Sequence, residues 1–326
     1  MADENLPVLI AEKLVPDETG AGISVPSIIA KSGDAAKFAY EEFLLGRIRN
    51  ANTRRAYERA ARRFFEWCEG ERTLQQITPA DVGRYLDGLD LSDTSKKLHL
   101  AALRHLFDEL VVRHVVVLNP ATSVRGPRLS VIEGRTPEIT TAQARALLAS
   151  VPTHSPLGLR DRAIIATLIY TAARIGAVAK LRSRDFYHDG EQDQLHFVDK
   201  GGKSREIPAR HDLSRFLREY IETLPAGDDN DRLFRTGEGK TGRLTANAAT
   251  PNDLARMVKR RMRRAGLPRR LSAHSFRVAT ITDLLAQGVS LGDVQQLAGH
   301  ADPRTTRLYD RRDRRVSRNI VERISI

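Results

Sequence analysis

Apolar residues recur at helical spacing between Asn52 and Gly70, and this segment constrains the fold more than any other. Arginines fill the remaining sides of the helix, as expected when one face packs on a core. Thr53 is expected to cap its first turn and Gly70 to end it. The apolar positions are Tyr57, Ala60, Ala61, Phe64 and Cys68, and the arginines are Arg54, Arg55, Arg59, Arg62 and Arg63.

Two more helices are predicted after this one, over residues 79–89 and from Ser92 or Thr94 to Leu110. No segment in this part alternates between apolar and polar residues as a strand does. The first domain, residues 36–124, is therefore predicted to be all-helical.

The flanking segments have a different composition. Residues 1–35 mix acidic residues with proline and glycine and show no sustained period, so we predict a flexible segment. Residues 125–138 are basic and contain proline and glycine, which predicts an extended linker.

The pattern changes in the second domain, residues 139–315. Helices are predicted from Thr140 and over 159–171, and two short strands, 194–198 and 204–208, flank a glycine-containing hairpin. Helices return from Leu213 and from Pro251. The fold class is therefore mainly α with a small β-sheet (α+β).

Several helix ends in the sequence carry their own signals. Thr78 precedes a proline, which suits an N-cap followed by the first helical residue. Ser290 with Asp293 resembles a capping box, and Gly299 is placed to stop the helix that follows. Asp302 is predicted to cap a short helix leading to the final tyrosine.

The charge balance favours a polyanionic partner. The chain has 53 Lys+Arg against 41 Asp+Glu, a net charge of +12 and a pI of about 10.1. A single cysteine, Cys68, excludes an internal disulfide framework. No stretch is apolar enough to cross a membrane, and no signal peptide precedes the first helix. We therefore expect a cytoplasmic, nucleoid-associated protein.

Potentially reactive residues are concentrated near the C-terminal end. Tyr309 lies nine residues after His300, and both follow the run from His274 to Arg277. A phenol can replace a hydroxyl of a DNA strand as nucleophile, and cationic groups stabilise charge on phosphate. Each residue alone is more often structural, but together they indicate attack on a phosphodiester.

Five ordered boxes resemble the tyrosine recombinase (phage integrase) family, of Xer-like two-domain type. The boxes span residues 170–177, 198–203, 274–277, 297–300 and 305–309. The resemblance covers roughly residues 36–315, and it implies a helical core-binding domain followed by a catalytic domain. The family's six catalytic positions correspond to Arg174, Lys200, His274, Arg277, His300 and Tyr309.

The resemblance implies a role for each of these residues. Tyr309 would attack the phosphorus and form a 3′-phosphotyrosine, leaving a free 5′ hydroxyl. Arg174, Arg277 and His300 would bind phosphate oxygens, while His274 accepts the phenol proton. Lys200 would protonate the leaving oxygen, although residue type alone leaves Lys203 nearly as good a candidate. Neither metal nor nucleotide cofactor is expected.

The chain departs from the family at supporting positions. Ala172 and Ala173 stand where Gly-Leu is usual, Ala177 replaces an acidic residue, and Val278 occupies a position that is commonly histidine. These changes put the fine positioning of the site in question rather than its chemistry.

Basic clusters outside the site predict contacts with double-stranded DNA, with the two domains clamping the duplex. Arg261 and Arg263 belong to the densest cluster, at 259–264. The predicted DNA-binding residues are Arg54, Arg55, Lys96, Lys97, Arg104, Lys203, Lys259, Arg260 and Arg264.

Residues 316–326 are predicted to form a C-terminal helix with an apolar stripe of Val316, Ile320, Val321 and Ile324. Such a helix packs either on its own core or on a neighbouring protomer. By resemblance, we expect it to dock on a second copy and to support a homotetramer in synapsis.

The leading hypothesis is a site-specific recombinase that performs integration, excision or resolution. A relaxing topoisomerase fits the small helical first domain less well. A non-cleaving DNA-binding regulator would be expected to lose one of the six positions, and none is lost. A metallohydrolase is weaker still, since no carboxylate or cysteine joins His274 and His300 at ligand spacing.

Overall fold

The computed structural model describes residues 24–68, 70, 72–128, 136–198, 202–239 and 241–309. The chain divides into two compact units, Met1–Ser130 and Val131–Ile326. In the described ranges, no helix has both the length and the apolar composition needed to span a bilayer.

The described part of the first unit contains only helices and turns. A π-helical turn over Glu42–Gly46 extends the second helix, and a 3-10 turn spans Leu74–Gln76. The α-helices are α1 (Ser27–Lys31), α2 (Asp34–Glu41), α3 (Ala51–Cys68), α4 (Pro79–Gly88) and α5 (Asp93–Val112).

Aromatic side chains from α3, α4 and α5 fill the centre of this unit. Phe64 and Phe107 are fully buried, and the ring of Phe64 meets that of Tyr85 edge to face with centroids 5.0 Å apart. Edge-to-face contact suits the charge distribution of aromatic rings and adds to the area they bury. The predicted amphipathic helix therefore packs its apolar stripe as expected.

The second unit adds two small antiparallel sheets to a larger set of helices. Its helices are α6 (Thr141–Ala149), α7 (Pro156–Tyr170), α8 (Ile175–Val178), α9 (His211–Ile221), α10 (Pro251–Arg264), α11 (Ala273–Ala286), α12 (Leu291–Ala298) and α13 (Pro303–Arg307). Its strands are β1 (Phe186–His188), β2 (Asp193–Val198), β3 (Ser204–Pro208), β4 (Arg235–Gly237) and β5 (Leu244–Ala248). The predicted α+β fold class is confirmed.

The two predicted strands form a hairpin, with Leu195 opposite Ile207. Strand β1 joins the free edge of β2, and β4 pairs with β5 in a separate two-stranded sheet. These three additional strands were not predicted. They are three to five residues long and lack a clear alternation, so only their partners define them.

Most predicted helix ends are confirmed. Thr78 accepts a hydrogen bond from the amide of Asp81, and Ser92 rather than Thr94 caps α5. The proposed cap at Thr53 is wrong. The side chain of Asn50 accepts from the amides of Asn52 and Thr53, at 3.0 and 3.1 Å, so the cap lies three residues earlier than predicted and α3 begins at Ala51.

The expected flexible segment, residues 1–35, is wrong for its last part. Residues 27–31 form α1, and Ile28 and Ile29 are buried in the first unit's core. A helix of five residues is too short to show a period in the sequence, and burial of its two isoleucines is what stabilises it. Residues 1–23 lie outside the described ones.

Candidate active site

Tyr309 and His274 come together although 35 positions separate them. Tyr309 follows α13 directly, and His274 lies in the first turn of α11. The phenol oxygen of Tyr309 is 3.3 Å from Nε2 of His274, while the rest of the tyrosine is buried. The pair has the geometry of a nucleophile beside a proton acceptor.

His300 is held at a tight turn after α12. Gly299 adopts the left-handed conformation, with φ of 62°, so the helix ends there as predicted. The amide of His300 donates to the carbonyl of Gln295, and the Gln295 side chain donates to the carbonyl of His300. The His300 ring is buried and stacks on Tyr309, with centroids 5.7 Å apart and planes 12° apart.

Two arginines, one on α11 and one before α8, lie close to these histidines and to Tyr309. The guanidinium of Arg277, on α11, is 1% exposed and donates to the carbonyl of Ala172. Arg174 lies two residues beyond that carbonyl and caps α8. One of its terminal nitrogens is 3.4 Å from the carbonyl of Gly299, next to His300. The structure therefore brings Arg174, His274, Arg277, His300 and Tyr309 into one site.

Burial and the neighbouring arginines lower the pKa of both histidines. Burial first, and then the charges of Arg277 and Arg174, lower the pKa of His300 to about 3. The same causes lower the pKa of His274, which lies nearer the surface. A neutral His274 can accept a proton at physiological pH, as a base for Tyr309 must.

A cleft of about 890 Å³ lies between β3 and α12 and opens onto this site. Arg174 and His300 line it, and so does the exposed Lys203. Lys200, the predicted acid, lies outside the described residues, so its position stays a prediction. The predicted C-terminal helix, 316–326, also lies outside them.

Arg205 is a feature of this cleft that the sequence did not reveal. Its guanidinium lies over the ring of Phe197, 5.0 Å from the centroid, and donates to the carbonyl of Leu297 at the end of α12. It therefore joins the β2–β3 hairpin to the turn that carries His300. Only the three-dimensional contact distinguishes Arg205 from the many other arginines of the chain.

The departures from the family pattern have local structural explanations. Ala172 has a φ of 49°, in the left-handed region where glycine is favoured, which explains why glycine is the family's usual residue there. Val278 is buried with Ala172, Ile281 and Tyr309 in a small apolar cluster, so a branched apolar side chain fits it. Ala177 is buried in the main core of the unit.

The predicted DNA contacts of the first unit divide into two groups. Lys97 and Arg55 are exposed and Lys96 is half-buried, as surface contacts require. Arg54 donates to the carbonyl of Ile48. Arg104 donates to the carbonyls of Ala121 and Val124, which places its guanidinium in a structural role that was not predicted.

A basic groove on the first unit was not among the predicted contacts. It lies between α3 and α5 and has a volume of about 520 Å³. Arg59, Arg62 and Arg63 line it, together with the buried His99. Their spacing of three and four residues on one helix was the available sequence signal, since it places them on the face opposite the apolar stripe.

The residues of the basic stretch at 259–264 also differ in how far they are buried. Arg261 is buried and bonds to the fully buried Asp161 at 2.8 Å, so the expectation of a phosphate contact is wrong for it. Arg260 is half-buried and lies 3.5 Å from the same carboxylate. Arg264 is exposed, and the exposed Lys259 donates to the carbonyl of Arg269. These last two remain on a surface that can reach DNA.

The lowered pKa of His300 predicts a specific pH dependence of stability. Between pH 3 and 6.5 the unfolded chain binds a proton at this residue and the folded chain does not, so acid favours unfolding. When the pH falls from 7.5 to 5, the unfolding free energy of the wild type should decrease by about 2 kcal/mol more than that of His300→Gln. Urea unfolding at pH 7.5 and 5 measures this. His154→Gln is the control: it removes an exposed ring and should respond to pH as the wild type does. If His300→Gln lost as much unfolding free energy as the wild type, the assignment would be contradicted.

Two models of known protein families match this chain. The model of the phage integrase family matches residues 137–315, and that of the phage integrase N-terminal SAM-like domain matches residues 39–114. Tyrosine recombinase XerC of Pelobacter propionicus is 29% identical, over 79% of this chain and 84% of that protein. Tyrosine recombinase XerC 2 of Ralstonia nicotianae is 32% identical, over 83% and 80%.

A solved structure shows the same fold. The lambda integrase in a tetramer bound to a Holliday junction aligns with a TM-score of 0.64 and 18% identity, covering 86% of this chain and 79% of that one. The family model covers more than half of the chain, and the Ralstonia relative is similar over most of both lengths. The chain therefore belongs to the phage integrase family of tyrosine recombinases.

Proposed function

We propose that this chain, a site-specific tyrosine recombinase, breaks and rejoins DNA strands through Tyr309. One observation carries the proposal: the phenol oxygen lies 3.3 Å from Nε2 of His274, beside His300 and two arginines. The chain would act in integration, excision or resolution of DNA elements. Because its substrate is duplex DNA, we place its action at the nucleoid.

The cleavage step is an in-line displacement at phosphorus. The oxygen of Tyr309 forms a bond to phosphorus while its proton passes to Nε2 of His274. The bond from phosphorus to the 5′ oxygen breaks, and this oxygen receives a proton from the acid. The product is a 3′-phosphotyrosine with a free 5′ hydroxyl, and attack by a 5′ hydroxyl reverses the sequence. Because a phosphodiester bond is replaced by another ester, rejoining requires no nucleotide cofactor.

Negative charge builds on the nonbridging oxygens during this step. Arg277 is well suited to bind them because its guanidinium is buried and already fixed by the Ala172 carbonyl. Arg174 supplies a second planar set of donors at the mouth of the site. His300 is assigned the third contact through its ring N–H. These three cover the charge-binding roles, and no metal ion is assigned one.

We assign the acid role to Lys200, in the β2–β3 hairpin. The argument is its position in the hairpin box, two residues after the exposed Val198 that ends β2. Lys203 lines the cleft with Arg174 and His300, so it remains the competing acid.

DNA binding is assigned to both units. We propose residues 36–124 as the core-binding domain and 139–315 as the catalytic domain, joined by the linker 125–138. In the first, Arg59, Arg62 and Arg63 are added to the exposed Arg55 and Lys97 and the half-buried Lys96, and Arg104 is removed. In the second, the contacts are Lys203, Lys259 and Arg264, with the half-buried Arg260 at the margin. Each phosphate contact should steepen the salt dependence of binding by about one unit of slope.

We further propose a tetramer on paired sites, held together by the C-terminal residues 316–326. The lambda integrase relative forms a tetramer on a Holliday junction. In this chain, the predicted stripe of Val316, Ile320, Val321 and Ile324 follows every catalytic box in the sequence, and we assign it the docking role. The competing non-cleaving function gains no support from the comparisons, since both named relatives are recombinases.

Tyr309→Phe should bind target DNA with unchanged affinity but form no covalent adduct, since only the attacking oxygen is lost. The adduct is detected as a DNA-linked band after denaturation, in EDTA, because no metal ion is assigned a role. Tyr187→Phe is the matched control and should form the adduct at the wild-type yield. An adduct in Tyr309→Phe would remove this tyrosine as nucleophile, and a strict need for Mg²⁺ would overturn the metal-independent mechanism.

Lys200→Ala should slow cleavage by about 10²–10⁴-fold, the usual contribution of a positioned acid, and Lys203→Ala should slow it much less. A substrate with a 5′-bridging sulfur needs little protonation to leave, so it should restore cleavage by the Lys200 variant. Single-turnover rates with both substrates measure this. If the sulfur substrate rescues Lys203→Ala instead, the acid is Lys203.

Ile320→Asp should abolish complexes on paired sites while single-site binding and the melting temperature stay close to wild type. A charge on the stripe opposes burial against a second protomer. Asn319→Asp adds the same charge next to the stripe and should assemble normally. Deleting residues 315–326 should reproduce the Ile320 result. A melting temperature lowered by many degrees, with loss of single-site binding, would instead indicate packing within one chain.

A further inference from the structure

Thr306 is a buried residue to which the proposed chemistry gives no role. It lies on α13, three residues before Tyr309, and its side chain is fully buried. Its hydroxyl oxygen is 2.8 Å from Nδ1 of His300. The neighbouring Thr305 is only partly buried, so the two threonines of this box have different environments.

The state of His300 makes this contact consequential. A neutral imidazole carries one proton on one of its two ring nitrogens, and the partner of one nitrogen decides the state of the other. Burial and the charges of Arg277, Arg174 and Arg205 all disfavour a second proton on this ring. His300 therefore either donates or accepts at Nε2.

Contacts other than Thr306 already hold the ring in place. The backbone of His300 is bonded to Gln295 in both directions, Gly299 fixes the turn, and Tyr309 stacks on the ring face. Removing the Thr306 hydroxyl should therefore leave the ring where it is. What the hydroxyl can still determine is which nitrogen carries the proton.

We propose that Thr306 is a positioning residue that donates its hydroxyl hydrogen to Nδ1 of His300 and thereby keeps the ring proton on Nε2. This inference rests on the proposed function, in which Nε2–H donates to a phosphate oxygen. With the proton on Nδ1, the lone pair of Nε2 would face the anionic phosphate and one charge-stabilising donor would be lost. Loss of one such donor typically slows a reaction by about 10²–10³-fold.

The ring proton can be observed without DNA. In protein labelled with ¹⁵N at histidine, two-bond proton–nitrogen correlations report which ring nitrogen is protonated, and His300→Gln identifies the His300 signals. We expect the proton on Nε2 in the wild type and in Thr306→Ser, and a mixture of both forms in Thr306→Val. A wild-type proton on Nδ1, or a Thr306→Val ring unchanged from wild type, would overturn the proposal.

Cleavage rates provide a second readout. Thr306→Val should cleave a suicide substrate about 10²-fold more slowly than wild type. Thr306→Ser should restore most of the rate, and Thr305→Val should be close to wild type. A Thr306→Ser variant as slow as Thr306→Val would show that the methyl group matters rather than the hydroxyl, against the proposal. If the ring shows the expected proton but Tyr309→Phe still forms an adduct, the proposed function fails while the assignment of the Thr306 bond stands.

Discussion

The buried hydrogen bond from Arg277 to the carbonyl of Ala172 is the contact on which the site depends. It joins α11, which carries His274, to the loop after α7, which carries Arg174. A guanidinium that is 1% exposed is stable only where polar groups meet its donors, so the loop must present its carbonyl inward. The left-handed backbone of Ala172 provides that turn. The conformational cost of about 1–2 kcal/mol for a non-glycine residue is partly offset by burying its methyl group with Val278 and Tyr309, which contributes about 0.8 kcal/mol.

The same apolar cluster positions Tyr309, the proposed nucleophile. Tyr309 packs with Ala172, Val278, Ile281 and Val294, residues contributed by α11, α12 and the loop after α7. This cluster is separate from the main core of the unit. The phenol oxygen is therefore set by packing of the ring, while His274 and His300 set its surroundings. A change in this small cluster should displace the tyrosine before it unfolds the unit.

Burial and neighbouring positive charge lower the pKa of both histidines of the site. Burial and nearby arginines disfavour charged imidazole. In the proposed mechanism, His274 can therefore accept the phenol proton, and His300 carries a single N–H. Arginine retains its charge at any physiological pH, so it can bind phosphate while keeping its neighbours neutral. In the proposed mechanism, the arginines supply permanent positive charge, while the neutral histidines act through a hydrogen bond to phosphate (His300) and through proton transfer (His274).

Most of the helix caps, and the family boxes, could be predicted from the sequence. Thr78, Ser290 and Gly299 act through atoms within a few residues, so their roles could be predicted from local spacing. It could not determine which cations face solvent. Arg261 is buried because Asp161, 100 positions earlier, supplies its partner, and Arg104 is held by carbonyls of a later loop. Likewise, the hydrogen bond between Thr306 and His300 and the one from Arg205 to Leu297 exist only in the folded chain. Helix caps depend on residues that are neighbours in the sequence. The environment of a long or polar side chain depends instead on residues that are distant in the sequence and become close through folding.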